Sequence, residues 1–306
     1  MGYNRKRNFD CMILLTGANG FLGKIILQNI NEKIYTLGRS GDLDISADLS
    51  KDIPILPKVN LVIHSAGKAH SIPKTDSEKK EFHEVNVLGT SNLLKGLEKS
   101  GLPKQFVFIS SVSVYGQETG NNICEEHALL ATDPYGISKI EAEKLVENWC
   151  NKNQVICSIL RLPLLVGKKP PGNLGAMIKA INKGYYFNIG GGIAKKSMVL
   201  AKDVASFILT VAPIGGIFNL TDGLHPNFRE LSLAISKNKK QQFSLSIYAA
   251  KVMGLAGDLL GDRAPINSFK IKKITSDLTF DDSKARKLLN WKPQSILEYL
   301  KKEDLE

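Results

Sequence analysis

The chain carries 306 residues, 43% of them hydrophobic and 23% charged, which suits one large soluble domain or one domain with a smaller lobe. Lys and Arg number 41 against 30 Asp and Glu, a net charge of +11, but the basic residues fall in short clusters (RKR, KKPP, AKKS, KNKK, KIKK) and not in one tract. That scatter fits solvated faces plus a site for an anionic ligand and argues against a nucleic-acid groove. No run approaches the roughly 20 apolar residues of a membrane span. The apolar stretch near the start is too short for a secretory signal, so a cytoplasmic protein with no membrane insertion is expected. Cys11, Cys124, Cys150 and Cys157 form no CxxC pair and have no metal-ligand spacing, which predicts reduced thiols and no metal site.

Along the chain, apolar runs alternate with helical patterns. CMILLTG (11–17) reads as a strand feeding a helix over about 21–31, and KIYTLGR (33–39) as a second strand. NLVIHSAG (60–67) is followed by a long helix through 78–101, and KQFVFISSVSVYG (104–116) by a helix over about 135–151. QVICSILRLPLLVG (154–167) closes this series. Strands that lack polar alternation and are separated by helices predict a parallel sheet covered on both faces, a doubly wound (Rossmann) α/β fold. After Gly167 the texture changes to Pro/Gly-rich turns and shorter elements. The expected division is therefore 1–167 as one domain and 168–306 mainly as a smaller lobe, with some segments returning to the first domain.

The stretch LLTGANGFLG places Gly17, Gly20 and Gly23 at intervals of three between a strand and a helix. Such a turn aims free backbone N–H groups and the positive end of the helix at one point, where a pyrophosphate binds well. A Cβ there would obstruct the tight turn, the approach of the phosphates and the close packing of the helix. Strand, turn and helix stand in the order that a dinucleotide site requires.

TGANGFLG is similar to the TGxxGxxG fingerprint of the short-chain dehydrogenases/reductases, and the wider pattern resembles the extended branch, the NAD-dependent epimerase/dehydratase family that acts on nucleotide sugars. Most of the chain takes part. DISADLS resembles the acidic-apolar pair that meets the adenine, LVIHSAGKAH the segment over the cofactor, and EVNVLGTSNLL the helix with a central asparagine. FVFISSVSVYG looks like the serine strand, YGISK like the catalytic Y-x-x-x-K, and TFDDSKARKLLNWKP like the C-terminal signature. The resemblance implies that Gly17, Asn19, Gly20, Phe21, Leu22, Gly23, Asp48, Leu49, Ala66, Gly67 and Asn86 serve a dinucleotide in residues 1–167. It implies catalysis by Ser111, Tyr135 and Lys139, the last two also touching the cofactor. It assigns Asn173, Leu174 and Lys196 to a substrate diphosphate in the second lobe, together with Ser111 at the sugar. Arg263 is a further candidate, with a solvated loop charge as the alternative. A homodimer through the Tyr135 helix is also implied.

The chemistry of the pair stands on its own. Tyr135 and Lys139 are four apart on one helix face. A free tyrosine titrates near 10, and a neighbouring ammonium is expected to lower it so that the phenol exchanges a proton with a sugar oxygen. Ser111 is placed to hydrogen-bond the same oxygen. His64 and His70 read as satisfied polar contacts.

At the end of the second strand Arg39 and Ser40 favour the 2′-phosphate of NADP(H). NAD(H) is the alternative, with Asp42 serving the ribose. The resemblance also bears on the reaction. Dehydratases of the family carry Asp-Glu after the catalytic Ser/Thr, where this chain has Val112-Ser113, and 4-epimerases carry an asparagine where it has Leu164. LRLPLLVG and GGGIAKKSMV look like the bacterial subgroup that reduces UDP-4-keto-6-deoxy-N-acetylhexosamines for surface polysaccharide. The expected partner is thus a UDP-sugar. A UDP-sugar 4-epimerase and a non-catalytic dinucleotide-binding protein are the alternatives.

Overall fold

The computed structural model describes residues 12–69, 73–237, 243–260 and 267–303. In chain order the elements are β1 (Ile13–Thr16), α1 (Phe21–Asn29), β2 (Ile34–Gly38), β3 (Ile45–Ser46), β4 (Leu61–His64), α2 (Asp76–His83), α3 (Gly89–Ser100), β5 (Gln105–Ser111), β6 (Gly120–Ile123), α4 (Pro134–Asn153), β7 (Ile156–Leu162) and β8 (Leu164–Val166). They continue with α5 (Gly172–Lys183), β9 (Phe187–Ile189), β10 (Met198–Leu200), α6 (Ala201–Val211), β11 (Gly216–Asn219), α7 (Phe228–Ile235), β12 (Phe243–Leu245), α8 (Ile247–Leu260), α9 (Ser268–Thr275), β13 (Leu278–Phe280), α10 (Ser283–Leu289) and α11 (Ile296–Lys302).

A seven-stranded sheet runs in the order β11-β7-β5-β4-β1-β2-β3. Strand β1 pairs in parallel with both β2 and β4, and β4 in parallel with β5. The chain therefore winds outward in two directions from β1 and β4, and their carboxyl ends form the switch point where ligands of doubly wound folds bind. Leu14, Val62, Phe106 and Phe108 of the strands pack with Leu93 and Leu97 of α3 and Val146 and Trp149 of α4 in one buried cluster, while α1 and α6 pack on each other. Apolar residues from strands and helices thus share one core, as the unalternating strands predicted.

The chain divides into two compact units. The first takes the described residues up to Gly116, Leu129–Arg161 and Ala201–Phe218. The second takes Gln117–Ala128, Leu162–Leu200 and the described residues from Asn219 onward. The sequence placed one boundary after Gly167; the structure crosses earlier, and β6 leaves the first unit because it pairs with β13, far away in sequence. The core of the second unit joins Leu174, Met177, Ile178 and Ile181 of α5 to Leu231 of α7 and to Ile296 and Leu300 of α11.

The helix expected through 78–101 is interrupted. Between α2 and α3 lies a π-helical turn over Glu84–Leu88 with Asn86 at its centre, a form of backbone that recurs at functional sites.

Candidate active site

The β1–α1 turn is built from backbone. Gly17 has a φ of +73°, and a Cβ on it would stand 2.7 Å from the Ala66 nitrogen, so the turn lies directly against the chain leaving β4. A Cβ on Gly23 would come within 2.1 Å of the Gly17 carbonyl oxygen, which only a glycine on α1 permits. Helix α1 begins at Gly20 without a side-chain cap and without an acidic residue in its first turn, leaving its N–H groups and positive end to an anion. Asn19 Nδ2 donates to the Ser40 carbonyl at 2.5 Å and ties this turn to the end of β2. Phe21 is half-buried and Leu22 buried. At the end of β4, a Cβ on Gly67 would meet Asn86 Oδ1 at 3.1 Å and lie 3.9 Å from Lys139 Nζ. Gly17, Gly23 and Gly67 thus leave bare backbone along the switch point, a cradle that fits a dinucleotide.

Around the expected adenosine end, Arg39 and Ser40 are exposed. The Ser50 hydroxyl donates to Asp48 at 2.7 Å and, with Arg39 and Lys51 nearby, holds this carboxyl below the usual carboxylate range. Leu49 packs in the core, and its carbonyl accepts from Asn92 Nδ2 at 2.9 Å. What Leu49 can offer an adenine ring is therefore chiefly the position of its backbone.

A buried polar chain fixes the floor. The Ala66 amide donates to Thr16 Oγ1 at 3.1 Å, Thr16 Oγ1 meets His64 Nδ1 at 2.6 Å, and His64 Nε2 meets Thr90 Oγ1 at 2.9 Å. Thr90 Oγ1 spends its proton on the Asn86 carbonyl at 2.6 Å. It must therefore accept from His64 Nε2, and Nδ1 in turn accepts from Thr16, so every hydrogen in the chain has one place to go. Burial, reinforced by Lys139, lowers His64 to about 3, and the ring is neutral. His64 is the satisfied polar residue that the sequence suggested, but it joins the glycine turn to the Asn86 turn. Asn86 continues the brace: its Oδ1 accepts from the Lys68 amide at 2.7 Å, and its Nδ2 donates to Ser138 Oγ at 2.8 Å.

Ser111 ends β5, where its hydroxyl accepts from the Ser113 amide at 3.1 Å. Helix α4 starts with Asp133 as its cap, accepting from the Gly136 amide at 3.0 Å, and with Pro134 in its first turn. This start places Tyr135 against Phe82, with ring centroids 6.1 Å apart, and near Ser111, whose hydroxyl donates to Ser113 Oγ at 3.1 Å. One turn on, the buried Lys139 donates through Nζ to the Ile109 carbonyl at 2.7 Å and lies 4.3 Å from the centroid of the Phe108 ring. Burial pulls Lys139 down to about 8, against the pull of Glu143. Burial also pushes the Tyr135 phenol above its ordinary value; Ser111 opposes the shift and Asp133 adds to it. This corrects the expectation of a lowered phenol. Desolvation outweighs stabilisation of the phenolate, and the resting phenol keeps its proton.

Behind this pair stands a cluster that motif reading did not single out. Glu143, one turn beyond Lys139, is buried and accepts from Arg161 Nη2 at 2.8 Å and Nε at 3.2 Å. Ser110 Oγ donates to the same carboxylate, and Arg161 Nη1 donates to the Tyr115 hydroxyl at 3.1 Å. Burial pulls the guanidinium down, but Glu143 and Tyr115 more than restore it, so it stays charged. The pair ties α4, β5 and β7 together behind Ser111, Tyr135 and Lys139. The interval of four from Tyr135 to Lys139 to Glu143 was its only signal in the sequence.

The second unit carries the remaining candidates. Asn173 is exposed in the first turn of α5, and Leu174 is buried in the core beside it, so a side-chain contact to a ligand falls to Asn173. Lys196 Nζ donates to the Lys273 carbonyl at 2.9 Å, and burial followed by the charge of Lys273 lowers its pKa. Arg263 and His70 lie outside the described residues. Among the described residues no group of three His, Cys, Asp or Glu could hold a metal ion, and no helix is long and apolar enough to cross a membrane.

A glycine turn at the switch point of a doubly wound sheet, facing a serine, a tyrosine and a lysine, defines a nicotinamide-dinucleotide enzyme of the short-chain dehydrogenase/reductase type. The chain belongs to the NAD dependent epimerase/dehydratase family, whose profile matches residues 13–220. It is similar to a UDP-glucose 4-epimerase of Vibrio cholerae, 28% identical over 95% of this chain and 94% of the relative. It is also similar to a GDP-6-deoxy-D-mannose reductase of Pseudomonas aeruginosa, 32% identical over 45% of this chain and 46% of the relative. The fold matches the crystal structure of UDP-N-acetylglucosamine 4-epimerase from Bacillus cereus with a TM-score of 0.74 and 22% identity, covering 95% of this chain and 97% of that one. The protein is an enzyme of this family.

Proposed function

We propose that the enzyme reduces C4 of a UDP-4-keto-6-deoxy-N-acetylhexosamine. The observation that carries this reading is Leu164, three residues after Arg161, where the resemblance gives 4-epimerases an asparagine; the upward push that burial gives the Tyr135 phenol agrees with it. A reduction needs an acid at the carbonyl oxygen, whereas the first step of an epimerase needs a base at the 4-hydroxyl. When bound in its reduced form, a nicotinamide dinucleotide would supply the hydride. Ser111 and Tyr135 hold the sugar oxygen, and Tyr135 gives it a proton as negative charge develops there. Lys139 keeps a positive charge beneath the site up to about pH 8. Val112 and Ser113 after Ser111 provide no acid-base pair for elimination of water, which counts against a dehydratase.

Gly17, Asn19, Gly20, Phe21, Leu22 and Gly23 take the pyrophosphate side of the dinucleotide in this reading. Asp48 and Leu49 border its adenine, and Ala66, Gly67 and Asn86 line its path toward Tyr135 and Lys139. Arg39, exposed after β2 with Ser40 beside it, favours NADP(H). In the second unit Asn173, beside the buried Leu174, and Lys196, which retains N–H donors beyond its bond to Lys273, meet the substrate diphosphate.

A second reading, interconversion of UDP-GlcNAc and UDP-GalNAc or of the corresponding hexoses, is favoured by the similarity to named 4-epimerases. Incubation with UDP-4-keto-6-deoxy-GlcNAc and either NADPH or NADH, followed by cofactor absorbance, separates the two. The reductase consumes reduced cofactor in step with the keto-sugar and retains little dinucleotide through dialysis. Tightly retained NAD⁺ with no net consumption contradicts it.

A further inference from the structure

Helix α8 inverts the usual arrangement of a surface helix. At 100° per residue, Tyr248, Val252, Leu255 and Leu259 fall on one stripe, yet these four side chains are between 63% and 91% exposed. Its buried residues are small: Ala250, Gly254 and Gly257. A Cβ on Gly254 would stand 2.7 Å from the Ile271 side chain, so α8 lies backbone-close on α9 and turns its large apolar residues away from that contact. Phe269 on α9, at 58% exposed, adds to the apolar surface of the hairpin.

The charge around this surface is one-sided. Together α8 and α9 carry Lys251, Lys270, Lys272 and Lys273 against the single acid Asp258. Asp258 is occupied as the acceptor of the Ser268 amide at 3.0 Å, and Lys273 is paired with Glu118 at 3.1 Å. Lys251 lies one helical turn from both Tyr248 and Leu255, and Lys272 one turn from Phe269. Both lysines are exposed.

We propose that the outward stripe of α8, with the lysines of the α8–α9 hairpin, is a peripheral docking surface for an anionic phospholipid membrane. Large apolar residues flanked by lysines are what a helix lying in a bilayer interface presents, the side chains entering the acyl boundary and the ammonium groups meeting headgroup phosphates. Charge decides between this occupant and a second copy of the chain. A symmetric contact through α8 would bring the lysines of one protomer against those of another in a chain of net charge +11, whereas an anionic leaflet complements them.

Co-sedimentation of the full chain with phosphatidylethanolamine–phosphatidylglycerol vesicles, against vesicles of phosphatidylcholine alone, tests the proposal without reading turnover. The expected result is binding to the anionic vesicles that weakens with salt. Leu255→Ser combined with Leu259→Ser lowers partitioning about tenfold or more. Lys251→Gln combined with Lys272→Gln lowers it about fivefold per lysine and flattens the salt dependence. Unchanged melting curves show that both variants are folded. The proposal is overturned if the wild-type chain stays in the supernatant with anionic vesicles, or if the lysine pair binds as the wild type does. It is equally overturned by a concentration-dependent dimer that the leucine pair abolishes in a chain that ignores vesicles, because a second copy would then cover α8.

Discussion

Helices α4 and α8 depart from the common surface helix in opposite directions. Helix α4 turns Lys139 and Glu143 inward, and each polar group there has a partner, from the Ile109 carbonyl to the Arg161 guanidinium. Helix α8 turns apolar residues outward. The first holds charge where chemistry needs a low dielectric, and the second leaves apolar surface where only another surface can cover it. In both, what a side chain does follows from what lies opposite it and not from its residue type.

The buried pair offers the largest break. Arg161→Met strands Glu143 without its counter-charge and should destabilise the first unit by roughly 3–5 kcal/mol. Arg161→Met with Glu143→Leu should recover most of that loss, by denaturant titration. Equal instability of the single and double variants would mean that packing, and not charge pairing, sets the cost. At the front of the same helix, Tyr135→Phe should retain dinucleotide binding and melting temperature while turnover falls by about 10² or more. Near-wild-type turnover would remove Tyr135 as the acid.

Arg39→Ala is expected to weaken NADPH by roughly 1.5–3 kcal/mol and NADH much less, because only NADPH presents a 2′-phosphate. Isothermal titration with both cofactors checks this, and equal losses would show that Arg39 does not read the phosphate. The smallest effect lies in pH. Lys139 titrates at about 8 in the folded enzyme, below the ordinary lysine value. Below pH 8 it is charged whether folded or not, and the full cost of burying that charge is present. Between about 8 and 10.5 the unfolded chain binds more protons, so this group's contribution to stability rises with pH. Lys139→Met should flatten that rise in unfolding measurements across the window, and an unchanged slope would assign the rise to other groups.

The parts of the site built from short-range rules were legible in the sequence. Three glycines between a strand and a helix leave few alternatives, and a tyrosine and a lysine four apart must share a helix face. What escaped depends on residues distant in sequence. Asn86 stands in a π turn whose position periodicity does not reveal, in a stretch that reads as one helix. Arg161 meets Glu143 only after β7 takes its place beside β5. The excursion of β6 rests on its pairing with β13, and a strand of four residues announces no partner. The lowered tyrosine was expected from its neighbouring lysine, but burial is a property of the finished fold. For α8 the apolar stripe is visible in the sequence, but which side of the helix is covered is not.

Net reduction at C4 of the keto-sugar is tested most directly by isotope transfer. Reduced cofactor carrying deuterium at its transferable position is incubated with UDP-4-keto-6-deoxy-GlcNAc and the enzyme, and the product is read by NMR. The expected product is a 6-deoxy-N-acetylhexosamine with one deuterium at C4 and a single configuration there, in an amount equal to the cofactor oxidised. An unlabelled product, with UDP-GlcNAc and UDP-GalNAc interconverting and the added cofactor untouched, would contradict it.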